Sequence, residues 1–340
     1  MPTDRPLVEA LLDAPLGVTL LGWLEAQQRT DLNWAHDDMP PSPDAVDRAV
    51  GAATDMSFGA LLDAAVYLSC VYVGPWISDA PDTVAIGYGG ADARRPIAEA
   101  VVARFGAELC APFDSNAQEW WFDTVAVSRW VEHLAPLFRR YEDVYSSGQF
   151  TVAGLWSVSN PPAEVHENLL GSWELEIGPI ARCTLPVPSG ARVAEIHRPE
   201  DWAQLVMEHP RVGGPYPEWE LPGINQRRAR LTSLLSVPGQ RAARVTMRNQ
   251  LVPDWRSVAD AYDGVHLSWA GFLTSEGCVT ELPDGDVTIL RYWGSDRTLW
   301  LNDVFGDPVV LPPPNAESAA PVSDELADQA STVFAQLMGR

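Results

Sequence analysis

The hydrophobic period of the chain changes near Ser146-Ser147-Gly148, and that change limits the architecture more than any motif does. Upstream, Leu7, Leu11, Leu12, Leu16, Leu20, Leu21 and Leu24 recur at helical spacing, with Pro15 and Gly17 placed to split the run into two helices. Ser42-Pro43-Asp44 supplies an N-cap, a first-turn proline and an acid at the positive end of a helix reaching about Ala53. Residues 58–72 predict an apolar helix covered on most sides. Residues 94–105 and 128–145 predict two more, with a short strand at 83–88 before them.

Downstream the pattern turns to short alternating runs. Residues 150–158, 173–177, 181–185, 193–196, 265–273, 287–292 and 298–304 read as strands, punctuated by prolines and glycines. Helices are expected at 199–208 and from a cap at Asp254 to Tyr262, and the proline- and glycine-rich run at 210–223 reads as a long loop. The expected fold class is α+β: an α-rich acidic domain over 1–148 and a mixed α/β-sheet domain over 149–314. Residues 315–340 then form a linker and an amphipathic helix that Ser323-Asp324-Glu325 starts, with Leu326, Val333, Phe334 and Leu337 on its apolar side.

Composition narrows the chemistry. All 23 basic residues are arginine, so Schiff-base lysines, a Walker lysine and a Ser-x-x-Lys nucleophile are excluded. The net charge of −23 opposes wholesale binding of nucleic acid. Residues 1–190 hold 26 acids against 10 arginines, a balance of −16, and residues 191–340 hold 20 against 13, a balance of −7. The one positive segment carries Arg227, Arg228, Arg230, Arg241, Arg244 and Arg248 with no acid between Glu220 and Asp254. In a strand over 241–250, Arg244 and Arg248 share a face and are the expected anion-binding pair; the alternative is that these arginines pair with surplus carboxylates. Nucleic acid would have to bind through Arg227 to Arg248. Cys70, Cys110, Cys183 and Cys278 lack Cys-x-x-Cys spacing and read as core thiols, so neither a metal site nor a cofactor is expected. No run of eighteen apolar residues and no Ala-x-Ala-like cleavage site is present, from which a soluble, cytoplasmic protein is expected.

Three stretches carry a resemblance. They are Glu195-Ile196-His197-Arg198-Pro199-Glu200-Asp201-Trp202, then Pro253-Asp254-Trp255 through Asp263-Gly264-Val265-His266-Leu267-Ser268-Trp269-Ala270-Gly271-Phe272-Leu273-Thr274, and Asp296-Arg297-Thr298-Leu299-Trp300-Leu301-Asn302-Asp303. Over about residues 190–305 the chain resembles uncharacterised proteins of arginine-rich, high-GC bacterial genomes, to which no activity is attached. His266 and Ser268 would share one strand face, which makes them the catalytic candidates. The tripeptide His266-Leu267-Ser268 resembles a motif of RNA 2′-phosphotransferases, relatives in fold of the ADP-ribosyltransferases, though their upstream His-Gly-Thr has no counterpart. That likeness implies a phosphate- or dinucleotide-binding enzyme. The ordinary alternative is a strand histidine bonded to Asp263 or Asp260. His166, between Glu164 and Glu167, is a weaker metal candidate. Fourteen tryptophans, a strong acidic balance and no His-Glu-x-x-His, Gly-x-Ser-x-Gly or glycine-rich phosphate loop favour a non-enzymatic interaction protein. Its expected partner is a protein, basic in character, as for an immunity protein or antitoxin.

Overall fold

The computed structural model describes residues 7–28, 41–72, 90–123, 155–159, 180–212, 251–276, 278–283, 286–290, 293, 296–312 and 324–338. The expected elements at 83–88, 128–145, 173–177 and 241–250, together with His166 and every arginine from Arg227 to Arg248, lie outside the described residues.

Helix α1 (Leu7–Asp13) ends one residue before α2 (Pro15–Ala26), because Pro15 has no N–H to continue the first helix and is suited to start the second. The two turn by 90°. Gly17 permits this close turn, since a Cβ there would lie 2.2 Å from the carbonyl oxygen of Leu11. Helices α3 (Pro43–Asp55), α4 (Phe58–Tyr72) and α5 (Arg95–Leu109, preceded by a 3-10 turn at Asp92–Arg94) complete the N-terminal layer. Leu11, Leu16, Leu20, Leu21, Leu61 and Leu62 are fully buried, each contributing about 1.5–3 kcal/mol by burial. One ion pair is buried with them: Arg94 Nε meets Glu25 Oε2 at 2.8 Å, while Glu25 Oε1 accepts the Ser42 N–H at 3.0 Å and fixes the start of α3. Among the described residues no single helix is long and apolar enough to cross a membrane; α1 and α2 meet that test only as a bent pair.

The strands are β1 (Gln118–Asp123), β2 (Leu155–Ser159), β3 (Ile180–Thr184), β4 (Val193–Ile196), β5 (Pro210–Val212), β6 (Leu251–Pro253), β7 (Gly264–Leu267), β8 (Val279–Glu281), β9 (Val287–Ile289), β10 (Arg297–Trp300) and β11 (Val309–Leu311). Seven of them form one mixed sheet in the order β11-β3-β1-β2-β10-β7-β4, antiparallel throughout except for the parallel pair β4 and β7. Helices α6 (Pro199–Glu208), α7 (Trp255–Ala261), α8 (Trp269–Ser275) and α9 (Asp324–Met338) accompany them. The fold is thus α+β, with N-terminal helices, a mixed sheet and a C-terminal helix.

Two local expectations are corrected. Residues 118–123 form a strand inside the part expected to be helical, and β1 lies between β3 and β2, so the sheet draws on both sides of residue 148. The expected strand over 265–273 ends at Leu267. Ser268 then caps α8, its Oγ accepting the Gly271 N–H at 3.1 Å. All seven residues of α8 are buried, so the segment is apolar on every side and carries no period to separate helix from strand.

Each face of the sheet has its own cover. Val265, Leu267, Leu299 and Ile196 face a core shared with α1, α2, α4, α5, α6 and α8. Trp120, Cys183 and Trp300 face the other way, onto Phe305 and onto Ala330, Val333 and Phe334 of α9. The C-terminal helix thus docks on the sheet through Val333 and Phe334 of the expected apolar side, whereas the side chains of Leu326 and Leu337 lie outside the described residues.

Candidate functional site

The face turned toward α9 carries a row of polar side chains across five strands. Gln118 of β1, Ser157 of β2, Thr298 of β10 and His266 of β7 are all at or below 1% exposure, and Glu195 of β4 ends the row at the sheet edge, half-buried. Register places them together, because Ser157 pairs with Thr298, Thr298 with His266, and His266 with Glu195. At the β1 end every group is engaged. Gln118 Oε1 accepts from Ser157 Oγ at 2.5 Å, Gln118 Nε2 donates to Ser159 Oγ at 2.9 Å, and Trp300 Nε1 donates to Ser157 Oγ at 2.8 Å.

His266 is the exception. Its Nε2 lies 3.1 Å from Asp296 Oδ1, while its Nδ1 is buried with no hydrogen-bond partner among the described residues. Among the described residues Glu195 Oε2 lies 4.0 Å from Nδ1. Burial pushes the Asp296 carboxyl up from its ordinary range, and the hydrogen bonds from His266 and the Ser159 backbone amide pull it back. Asp296 holds its position at φ 47°, a left-handed conformation that aspartate tolerates better than most residues and that costs on the order of 1 kcal/mol. His266 Nε2 and Asp296 Oδ1 thus share one hydrogen bond inside the fold.

Glu195 is tied down on one oxygen. Its Oε2 accepts the Phe113 N–H at 3.0 Å and faces His197 Nε2 at 3.1 Å, and the Phe113 ring packs edge-on against His266 with centroids 5.7 Å apart. His197 follows β4 directly, and its backbone N–H is bonded at 2.9 Å to Asp201 Oδ2 in the first turn of α6. Its Nδ1 lies 3.0 Å from Ser268 Oγ. Ser268 Oγ accepts from Gly271 and donates toward the Ile196 carbonyl oxygen at 3.4 Å, so it joins the start of α8 to the end of β4 beside the His197 ring.

Ser268, His197 and Glu195 thus stand in the order of nucleophile, base and orienting acid. Ser268 is nevertheless spent as a cap and is 1% exposed, so its place is structural. The expected candidates His266 and Ser268 are brought to one corner but not to each other: Glu195 and His197 stand between them. The carboxylate on His266 is Asp296, rather than Asp263 or Asp260, because Asp263 is taken by Arg192 and Asn302. Glu195, His197 and Asp296 were missed as site residues, although Glu195-Ile196-His197 has the strand alternation that puts an acid and an imidazole on one side. Arg244 and Arg248 lie outside the described residues.

What the corner can do follows from its donors and acceptors. It can hold or move a proton, since an unpartnered buried imidazole nitrogen stands 4.0 Å from a half-buried carboxylate. Among the described residues no group of three or more His, Cys, Asp or Glu side chains is arranged to hold a metal ion. In comparisons with known proteins, no family model, no curated protein and no solved structure matches this chain.

Proposed function

We propose that the protein is a non-enzymatic acidic binding protein of the cytoplasm whose partner is a basic protein, as for an immunity protein or antitoxin. The observation that carries this reading is the charge: −23 in all, with −16 in the first 190 residues. Acids on the outer sides of α3 and α5, among them Asp44, Asp47, Asp55, Glu99 and Glu108, stand exposed where a partner can meet them. Such a surface accelerates encounter with a basic partner, and the acceleration is screened by salt over about 8 Å at physiological ionic strength.

A second reading, an enzyme that binds phosphate or a dinucleotide, draws support from the buried, unpartnered Nδ1 of His266 at the end of a polar row. Buried polar networks of this kind cost stability unless fully satisfied, and they cluster at functional sites.

One experiment separates the two. The full chain is used to capture partners from its native lysate, and any captured protein is purified and recombined with it. The expected result is a basic protein that re-forms the complex, with an association rate falling tenfold or more between low and physiological salt. A nucleotide that co-purifies with the chain, with no protein partner that can be reconstituted, turns the assignment to the enzyme.

A further inference from the structure

The buried imidazole of His266 is covered by a short piece of chain that little else holds down. Between the end of α5 at Leu109 and the start of β1 at Gln118, Phe113 lays its ring over the end of the polar row. The ring meets His266 with centroids 5.7 Å apart at 63° and Trp300 at 5.7 Å and 71°. On either side the chain is anchored. The Cys110 and Ala111 N–H groups return to the Gly106 and Glu108 carbonyls of α5 at 3.1 and 3.2 Å, and the Asp114 carbonyl accepts from Gln118 Nε2 at 3.0 Å and from the Ala117 N–H at 3.2 Å. Between these anchors stand Pro112, which has no N–H to give, and Phe113, whose N–H donates to Glu195 Oε2 at 3.0 Å. Among the described residues that single hydrogen bond ties Pro112 and Phe113 to the sheet.

What lies under the cover favours lifting it. His266 Nδ1 is buried with no hydrogen-bond partner, so closure strips it of water and returns nothing. Ala111, Pro112 and Asp114 are exposed and Phe113 is half-buried, so the cover has solvent on its outer side. Lifting it breaks one hydrogen bond and two ring contacts, far less than unfolding the sheet, and Glu195 Oε2 keeps His197 Nε2 at 3.1 Å when Phe113 lets go. We propose that residues 111–113 form a strap that opens over His266. Breaking the Phe113–Glu195 bond and swinging the ring away lets water reach Nδ1, while Asp296 still holds the other imidazole nitrogen and His197 still holds the carboxylate. The closed form hides the imidazole and the open form presents it, so the strap decides when this corner can exchange a proton with anything outside the fold. It does so whatever the acidic surface binds.

Hydrogen–deuterium exchange of the full chain tests this, read by mass spectrometry at the histidine ring C2 positions and by NMR at the backbone amides. In wild type the His266 C2–H and the Phe113 N–H should exchange through one local opening. Their rates should stay within about twofold as urea is raised below the unfolding transition, while the Leu299 and Trp300 amides of β10 accelerate with urea as global unfolding does. Phe113→Ala should speed the His266 exchange at least tenfold. Val333→Ala trims the same core from α9 and should leave the His266 rate within about twofold of wild type. The strap is overturned if the His266 C2–H follows the urea dependence of the β10 amides, if Phe113→Ala leaves its rate unchanged, or if Val333→Ala speeds it as much as Phe113→Ala does. Should Phe113→Ala fail to fold, the urea dependence of the wild-type chain decides alone.

Discussion

At the scale of single residues, the parallel strands are locked at their N-terminal ends by one aspartate. Asp263 accepts from the backbone N–H of Arg192 at 2.8 Å, from Arg192 Nη2 at 3.0 Å and from Asn302 Nδ2 at 3.2 Å. Partial burial pushes its carboxyl up, but the bonds from Arg192 and Asn302 outweigh that and hold it below the ordinary carboxylate range. A depressed folded-state value means that the contribution is complete above the unfolded value near 3.8 and is lost as pH falls through the folded value. Chemical denaturation from pH 6 to pH 2 should therefore show a steeper loss for wild type than for Asp263→Asn, with the two curves converging at the acid end. Parallel curves over the whole range would remove this clamp from the account. At the opposite end of the pair, His266→Ala would strand Asp296 in the interior, at a cost of about 3 kcal/mol read by the same method, and Asp296→Asn in the same chain should recover part of it.

Among the elements, α8 is the one on which the rest closes. It packs against β7 and α6 on the sheet side and against α1, α2 and α5 on the other, so the helical layer and the sheet meet through it. Gly271 allows that approach: a Cβ there would stand 2.1 Å from the Ile196 carbonyl oxygen and 2.8 Å from Leu267 Cδ1. The neighbour at 2.1 Å is backbone, which cannot swing aside as a flexible side chain can. Gly271→Ala should cost about 2 kcal/mol or more through overpacking and should move β4, and with it Glu195 and His197, away from β7. Thermal melting checks the stability, and the His197 imidazole resonances check the displacement. A variant as stable as wild type with unchanged resonances would show that α8 has room the geometry denies it.

For the whole molecule, the central question is whether the two compositional halves fold apart. β1 supplies hydrogen bonds to β3 on one side and β2 on the other, and the core of the first hundred residues continues without interruption into Trp202, Val258, Leu267 and Leu273. Residues 149–340 expressed alone would lose the strand that joins β3 to β2 and would expose the apolar face that α1, α2 and α5 cover. The expected outcome is a fragment that is insoluble, or that folds only when 1–148 is supplied in trans, read by circular dichroism and size exclusion. A fragment that folds alone with a sharp melting transition would establish two autonomous domains.

Helix starts were legible in the sequence because their chemistry is local. Pro15, Pro43 and Pro199 sit at first turns and Asp254 caps α7, each fixed by a missing N–H or by a carboxylate within two residues. The α+β class, the split between α1 and α2, the buried α4 and the docked α9 followed from periodicity in the same way. Residues 118–123 were not legible as a strand, since a lone run gains its ladder from β2 and β3, which lie 32 or more residues further along the chain. The site was half legible. His266 and Ser268 stood out by residue type, but their partners come from β4, from His197 just after it and from the turn at Asp296, 71 residues before and 30 after. Only the parallel pairing of β4 with β7 and the left-handed turn at Asp296 decide that His266 faces Glu195 and is held by Asp296, because sequence spacing fixes which side of a strand a residue occupies and says nothing about which strand lies beside it.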